Sequence, residues 1–277
     1  MHADWLIPDW PAPANVRAVF TSRQGGVSSL PFDSMNLADH VGDLPEKVAA
    51  NRTVLQTAIG SRAVFLQQVH GCDVLALDDS SADGQPADAC VTAQRRLACT
   101  IMVADCLPLL LTTLDGSVVA GAHAGWRGLA GVGPLGETGG KGVIASVYES
   151  FHALAHTERA QEAIKTIAWL GPCIGPSAFV VGAEVKAAFM AVQPGASVAF
   201  ITAGPGKFLA DLAALARLRL QALGITEVYG NDGSAPWCTV SNPSRFFSHR
   251  RDAGRGVSGP GNGFGTTGRM AACIWRE

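Results

Sequence analysis

The sequence predicts one mixed α/β (α+β) domain spanning residues 1–277, and three observations carry that prediction. Apolar residues make up 48% of the chain and charged residues only 16%, enough apolar surface for a large core with much buried sheet. The longest apolar stretch, residues 97–128, is broken by Asp115-Gly116, a dipeptide that joins hairpin arms. Helix-period segments are interspersed with short strand-like runs, with no internal repeat and no linker.

In chain order, Asn15 to Thr21 reads as a strand. It delivers Ser22-Arg23-Gln24-Gly25-Gly26, either a plain glycine turn or a backbone nest whose N–H groups accept an anion. Pro31 to Asp43 is turn-rich and offers Asn36 and His40 as pocket groups. Asp43-Leu44-Pro45-Glu46 reads as a helix start, with an acidic cap region and Pro near the first helical position, and the helix ends at Ile59 before Gly60, with Val48, Leu55 and Ile59 on one face. Arg52 lies off that face, at a pocket edge or in solvent. Ala63 to His70 reads as a strand that turns at Gly71 into Asp73 to Leu77, and residues 79–89 read as a polar loop.

Leu97 to Asp105 is then a strand, followed by a hairpin with arms Cys106 to Leu114 and Ser117 to His123 on a type I′ turn. Small residues flank the Trp126-Arg127 pair, which implies close packing and puts Arg127 beside His123, suited to a phosphate or carboxylate. Val143, Ile144, Val147, Phe151 and Leu154 recur at helical spacing. Ile164 to Leu170, Ala178 to Gly182, Thr226 to Tyr229 and Met270 to Trp275 read as strands. Ala183 to Met190 and Phe208 to Leu223 read as helices, the second stopped by Gly224. Residues 131–142 and 253–265 are glycine-rich loops.

The hairpin register makes a geometric prediction. If Leu114 faces Ser117, Pro108 faces His123, and Cys106 shares a face with His123 as a diagonal neighbour roughly 7 to 8 Å away at Cα. A thiolate and an imidazole can close that gap around one metal ion held at about 2.0 to 2.3 Å from each. A third ligand must come from elsewhere, and His70 is the candidate. Asp105 could orient a ligand, move a proton or stand in solvent. Each residue also has an ordinary reading, Cys106 as a small core residue and the histidines as hydrogen-bonded surface groups. Another reading makes Cys106 a nucleophile with His123 as its base, acting on a peptide or amide bond.

Other classes are excluded. The formal charge of −2 without a Lys/Arg block argues against nucleic acid. No apolar run approaches the ~20 residues of a membrane helix, and the N-terminus lacks the basic and apolar regions of a signal peptide. Seven cysteines, odd in number and never in Cys-x-x-Cys spacing, oppose a disulfide framework or a four-cysteine zinc site and suit the cytoplasm. G-x-S-x-G, Walker and H-E-x-x-H motifs are absent. His156-Thr157-Glu158 with Pro172-Cys173 resembles a zinc deaminase signature, but Pro176 stands where that chemistry needs a further Cys.

Several motifs together carry a resemblance: Thr21-x-Arg23-x-Gly25-Gly26-Val27-Ser28, Asn36-Leu37, His40-Val41-Gly42-Asp43, Gln67-Gln68-Val69-His70-Gly71, Ala104-Asp105-Cys106, His123-Ala-Gly-Trp-Arg-Gly128, Gly171-Pro-x-Ile-Gly175-Pro176 and Phe246-Phe247-Ser248-x-Arg250-Arg251-Asp252. In this order, over nearly the whole chain, they resemble the laccase-domain family. That family was first labelled polyphenol oxidase, then purine nucleoside phosphorylase with adenosine deaminase activity, and some bacterial members are described as peptidoglycan editing factors. The resemblance implies sheets packed face to face with helices outside, layered α-β-β-α, similar to certain bacterial toxin cysteine hydrolases. It also implies a catalytic zinc on His70, Cys106 and His123, with purine nucleosides and phosphate as substrates. Three protein ligands leave a fourth position open, the mark of a catalytic rather than a structural zinc. Copper is the weaker alternative, because multicopper sites need more histidines and no His-x-His pair exists. Asp105 joins the three ligands as a catalytic candidate, and Arg23, Asn36, Arg52, Gln68 and Arg127 are the candidates for holding substrate and phosphate. A zinc-stabilised binding protein is the non-enzyme alternative. The sequence sets no oligomeric state. The two glycine-rich stretches look inserted relative to the family pattern.

Overall fold

The computed structural model describes residues 1–133, 136–137, 139–158, 164–252 and 267–277. The stretch 253–265 and parts of 131–142 therefore lie outside the described residues, as does the side chain of Glu158. The strands are β1 (Val16–Phe20), β2 (Arg62–Phe65), β3 (Val74–Ala76), β4 (Ala89–Thr92), β5 (Leu97–Val103), β6 (Leu107–Thr113), β7 (Val119–Ala124), β8 (Thr166–Leu170), β9 (Val180–Gly182), β10 (Phe200–Gly204), β11 (Lys207–Ala210), β12 (Val228–Gly230) and β13 (Met270–Arg276). The helices are α1 (Pro45–Ile59), α2 (Trp126–Ala130), α3 (Val143–Glu158), α4 (Ala183–Val192), α5 (Leu212–Ala222) and α6 (His249–Asp252).

Two mixed sheets form the body. One has the order β1-β13-β5-β2 and the other β12-β8-β6-β7-β4-β3, while β10-β11-β9 makes a small third sheet. Side-chain parity along the strands shows how the two large sheets meet. Ile101 and Val103 of β5, Ala272 and Ile274 of β13, Leu110 of β6 and Val119 of β7 share one buried cluster between the sheets. The alternate residues point outward: Leu109, Leu111, Ala120 and Ala122 pack under α3, α4 and α5, and Ala98, Met102, Ala271 and Cys273 pack under α1. Strands covered on both faces need apolar side chains at every position, hence the uninterrupted apolar run of the sequence. The order of layers is helix, sheet, sheet, helix, as the resemblance implies.

The hairpin register holds. Pro108 pairs with His123 and Leu107 with Ala124. The turn itself differs from the expected type I′, because only Gly116 has positive φ (69°) while Thr113 O accepts from its N–H at 3.0 Å. Asp115 stays outside the left-handed region, and its Oδ1 accepts from Ser117 N instead. Helix α1 runs from Pro45 to Ile59, and Gly60 closes it at φ 63°.

Three elements differ from the sequence reading. The strand expected from Ala63 to His70 ends at Phe65, and His70 sits on a loop with φ 63°. The helix expected from Phe208 begins only at Leu212, where the Asp211 carboxylate accepts from Ala214 N; Lys207–Ala210 is a strand paired with β9 and β10. Asp211 is a strong N-cap, and its short-range signal overrides the apolar spacing before it. The end of the polar loop 79–89 runs into β4, which pairs with β7 in the register Ala89↔Ala122.

Candidate functional site

That last pairing builds the site. Extending the β4–β7 register by one residue sets Asp88 opposite His123, and the His123 N–H donates to Asp88 O at 2.7 Å. Parity places His123 of β7 on the inward face with Val119, and Cys106, just before β6, on the inward face with Pro108 and Leu110. The site thus lies at one end of the sandwich, where β4 and β6 begin and β7 ends.

Asp88, fully buried, organises it. Its carboxylate accepts from the backbone N–H groups of Val69, His70 and Gly71 at 3.1, 2.9 and 2.6 Å, and from His123 Nδ1 at 2.8 Å. Three consecutive N–H groups on one carboxylate fix the loop that carries His70, which is how a histidine holds a left-handed backbone. Engagement of Nδ1 leaves His123 Nε2 free to bind a ligand. Cys106 Sγ lies 3.8 Å from His70 Nε2, and one ligand atom from each of His70, Cys106 and His123 falls within 4.8 Å of the others. A thiolate and an imidazole on one tetrahedral zinc are about 3.6 Å apart at normal bond lengths, so the 3.8 Å between Cys106 and His70 matches one metal ion and the three donors together lie within reach of it. Gly125 is required here, since a Cβ on it would stand 2.9 Å from His70 Cδ2 and 3.1 Å from Cys106 Sγ. Gly128 likewise lets Gly71 O approach to 2.6 Å from where its Cβ would be.

The electrostatics match a ligand set. Burial pushes the Cys106 thiol up, but the His123 charge and hydrogen bonds from His123 and His70 outweigh it and bring it down to about 6. Burial opposes the His123 charge as well, yet the Cys106 thiolate and the Asp88 hydrogen bond raise that imidazole to about 9. In metal-free protein near pH 7 the pair is thiolate and imidazolium, so alkylation of Cys106 by iodoacetamide is expected to rise as pH climbs through about 6. Cys106 reacts before half-buried Cys72, whose thiol is raised by burial and by Asp88 and Asp73. Bound metal suppresses the reaction. A midpoint near the ordinary thiol value of about 8.5 contradicts this electrostatic picture. Peptide mapping of the alkylated protein at several pH values makes the measurement.

A cavity of 290 Å³ opens beside the cluster, close to the lower size of small-molecule sites, roughly 300 Å³. The cluster lines it together with Gln68, Trp126, Ile174, Phe179 and Arg269. Asp105 also lines it, at φ 87°, with Oδ1 accepting from Thr239 Oγ1 at 2.5 Å and Oδ2 from Arg250 N at 2.6 Å. Both carboxylate oxygens are thus engaged, and Asp105 ties the Thr239 and His249–Asp252 segments to the site. Gln68 lines the cavity with its amide bonded twice to the Met102 backbone, at 2.8 Å each way.

The other expected substrate residues lie elsewhere. Arg23 donates to Asp33 O, Asp33 Oδ1 and Pro243 O, and no nest forms, because Gly26 N and Val27 N donate to Ser34 Oγ and Asn51 Oδ1. Arg52 bonds Leu37 O, pairs with Asp39 and Asp83 and stacks on Phe65. Arg127 is exposed and lies over Trp126. Asn36 is fully buried, and its Oδ1 accepts from Ala38 N and Arg269 N. Sequence reasoning passes over Asp88, His249 and Arg269. Asp88 is the one it could find, by carrying the hairpin register to the next strand.

With this geometry in place, comparison with known proteins is decisive. The sequence profile of the family described as multi-copper polyphenol oxidoreductase laccase matches residues 17–277. The chain belongs to this family. It is 44% identical over 274 residues to a Pseudomonas aeruginosa protein named purine nucleoside phosphorylase PA4543, covering 99% of this chain and 98% of that one. It is 42% identical over 272 residues to purine nucleoside phosphorylase YfiH of Escherichia coli K12, covering 98% of each. The crystal structure of Neisseria meningitidis protein NMB0706 superposes with a TM-score of 0.83 at 42% identity, over 99% of both chains. YlmD from Geobacillus stearothermophilus gives 0.78 at 29% identity, over 95% of this laccase-domain chain and 93% of its own.

Proposed function

We propose that this protein is a zinc-dependent purine nucleoside phosphorylase with adenosine deaminase side activity, its catalytic domain formed by residues 1–277. The observation that carries the proposal is the convergence of His70, Cys106 and His123 beside a cavity with apolar and cationic walls. The names of relatives aligned over nearly the full length support the same reaction.

In phosphorolysis a phosphate oxygen bonds to ribose C1′ as the C1′–N9 bond breaks. The electron pair goes to the purine, which takes up the proton that phosphate gives, so inosine yields hypoxanthine and ribose 1-phosphate. His70, Cys106 and His123 would hold the zinc, which when bound supplies Lewis acidity at an open coordination position. Asp88 holds His123 in the tautomer with a proton on Nδ1 and fixes the His70 loop. Asp105 positions the backbone of Arg250 rather than moving a proton, since both its oxygens are engaged. Gln68 keeps the Met102 edge of the cavity in place.

Zinc is favoured over copper by the arrangement of donors. Among the described residues one group of three His, Cys, Asp or Glu side chains is placed to hold an ion, and multicopper chemistry requires several sites. No helix among the described residues is long and apolar enough to cross a membrane, and seven free cysteines suit a reducing cytoplasm. Incubation of purified, metal-quantified protein with adenosine or inosine and phosphate is expected to release free base and ribose 1-phosphate. Inosine with ammonia accompanies adenine when adenosine is supplied. Release of neither product, or turnover of phenols on bound copper instead, defeats the assignment.

A further inference from the structure

The cavity wall is not uniform. Trp126, Ile174, Phe179 and Leu212 belong to the apolar cluster on the outer side of the six-stranded sheet or pack against it. Arg269, just before β13, His249 of α6 and His40, in the segment before α1, bring basic groups to the same cavity. Cys106, His70 and His123 also line it.

Arg269 is the unusual member. It is mostly buried, only Nη1 has protein acceptors, the carbonyls of Thr267 and Gly268, and it pairs with no carboxylate among the described residues. Asp105, the one carboxylate lining the cavity, is occupied by Thr239 and the Arg250 backbone. The Asp105 and Cys106 charges act on this guanidinium, but its Nε and Nη2 donate to no protein acceptor among the described residues, and mostly buried N–H donors without a partner are costly unless a ligand accepts from them. Its position is nonetheless over-determined: Asn36 Oδ1 accepts from Arg269 N, and Asn36 is fixed by Asp43 and Ala38. His249, His40 and Arg269 line the same cavity, and burial and then the Arg269 charge lower both imidazoles; His40 Nδ1 also stands 3.6 Å from exposed Asp39.

We infer that Arg269, flanked by His249 and His40, forms the subsite that seats inorganic phosphate, with the purine base lying against Trp126, Ile174 and Phe179. This rests on the phosphorolytic reading for its substrate, and on the unpaired guanidinium for its place. Arg and His donate N–H groups to phosphate oxygens, and the planar fork of Arg suits two oxygens at once, a geometry that lysine does not copy. The phosphate is thereby held beside the His70–Cys106–His123 cluster, on the cationic side of the nucleoside. The arginines near the glycine motifs, Arg23 and Arg127, take no part.

The test uses the metal-loaded protein and three variants, Arg269→Lys, Arg269→Gln and the double change His40→Gln with His249→Gln. Arg269→Lys is expected to raise the KM for phosphate about tenfold or more while the KM for inosine moves less than about threefold. Titration calorimetry with inorganic phosphate alone, without nucleoside, is expected to show binding to the unaltered protein and none to Arg269→Gln. The double histidine variant changes exposed side chains and keeps the fold; its phosphate KM is expected to rise about threefold or more, which serves if Arg269→Gln does not fold. Equal rises in both KM values, or phosphate binding indifferent to all three changes, overturn the subsite. Phosphate binding that depends on Arg269 in a protein with no phosphorolysis upholds the subsite and defeats the reaction. Phosphorolysis whose phosphate KM ignores Arg269 does the reverse.

Discussion

Cys106→Ser lowers phosphorolysis of inosine by at least about a thousandfold and leaves the protein with little bound zinc. The hydroxyl replaces a sulfur whose thiol is brought down to about 6, so the site exchanges a ready thiolate for a group that stays protonated. Cys106 is half-buried just before β6, so the fold is expected to survive and the melting temperature to move by only a few degrees from that of the metal-free parent protein, roughly what a change below 1 kcal/mol produces. A parallel His70→Ala variant separates two mechanisms. With three side chains sharing one metal, losing His70 is about as severe as losing Cys106. With Cys106 as a nucleophile and His123 as its base, His70→Ala is mild. Steady-state rates and metal content of both variants distinguish the two.

Asp88→Ala is expected to have the largest effect on stability. The substitution removes the acceptor of three backbone N–H groups and of His123 Nδ1 at a fully buried position. Leaving such donors without a partner costs about 3 to 5 kcal/mol, and zinc affinity falls at least about tenfold because the histidines lose their orientation. Denaturant midpoints and competitive zinc titration measure the two effects. The pH dependence has a definite sign. Burial pushes the Asp88 carboxyl up, but the hydrogen bond and charge of His123 with the N–H groups of Gly71 and Val69 hold it below its ordinary value. A depressed carboxyl contributes stability in full above its unfolded value of about 3.9. That contribution is lost as pH falls through the lower folded value. The Asp88→Ala variant is expected to show a shallower loss of stability in that acid range, and an unchanged acid limb contradicts the role.

Half of the site is legible in local chemistry alone. An Asp-Gly turn and the period of two fix the pairing of Pro108 with His123, and that pairing puts Cys106 and His123 on one face. Even the wrong turn type does no harm, because the register depends on the pairing rather than on the φ of Asp115. The end of the first helix is legible to the residue for a similar reason, with Gly60 just past it, and Pro45 marks its start within a four-residue stretch. The phosphate residues are not. Arg23, Arg52 and Arg127 stand beside glycines or motif residues, yet nearby backbone carbonyls, carboxylates and rings hold all three away from the cavity. Arg269 reaches the cavity because β13 pairs with β1 and β5, a contact that spans most of the chain and leaves no local mark. Asp88 is concealed in the same way, in a segment whose composition is that of a loop and whose role appears only once β4 lies on β7.

Zinc-edge X-ray absorption on the purified protein tests the central claim most directly. One metal per chain is expected, with a single sulfur at about 2.3 Å, two imidazole nitrogens at about 2.0 Å and one further light atom, and with the sulfur shell missing in Cys106→Ser. An active protein without metal, or a metal whose spectrum keeps its sulfur when Cys106 is replaced, contradicts it.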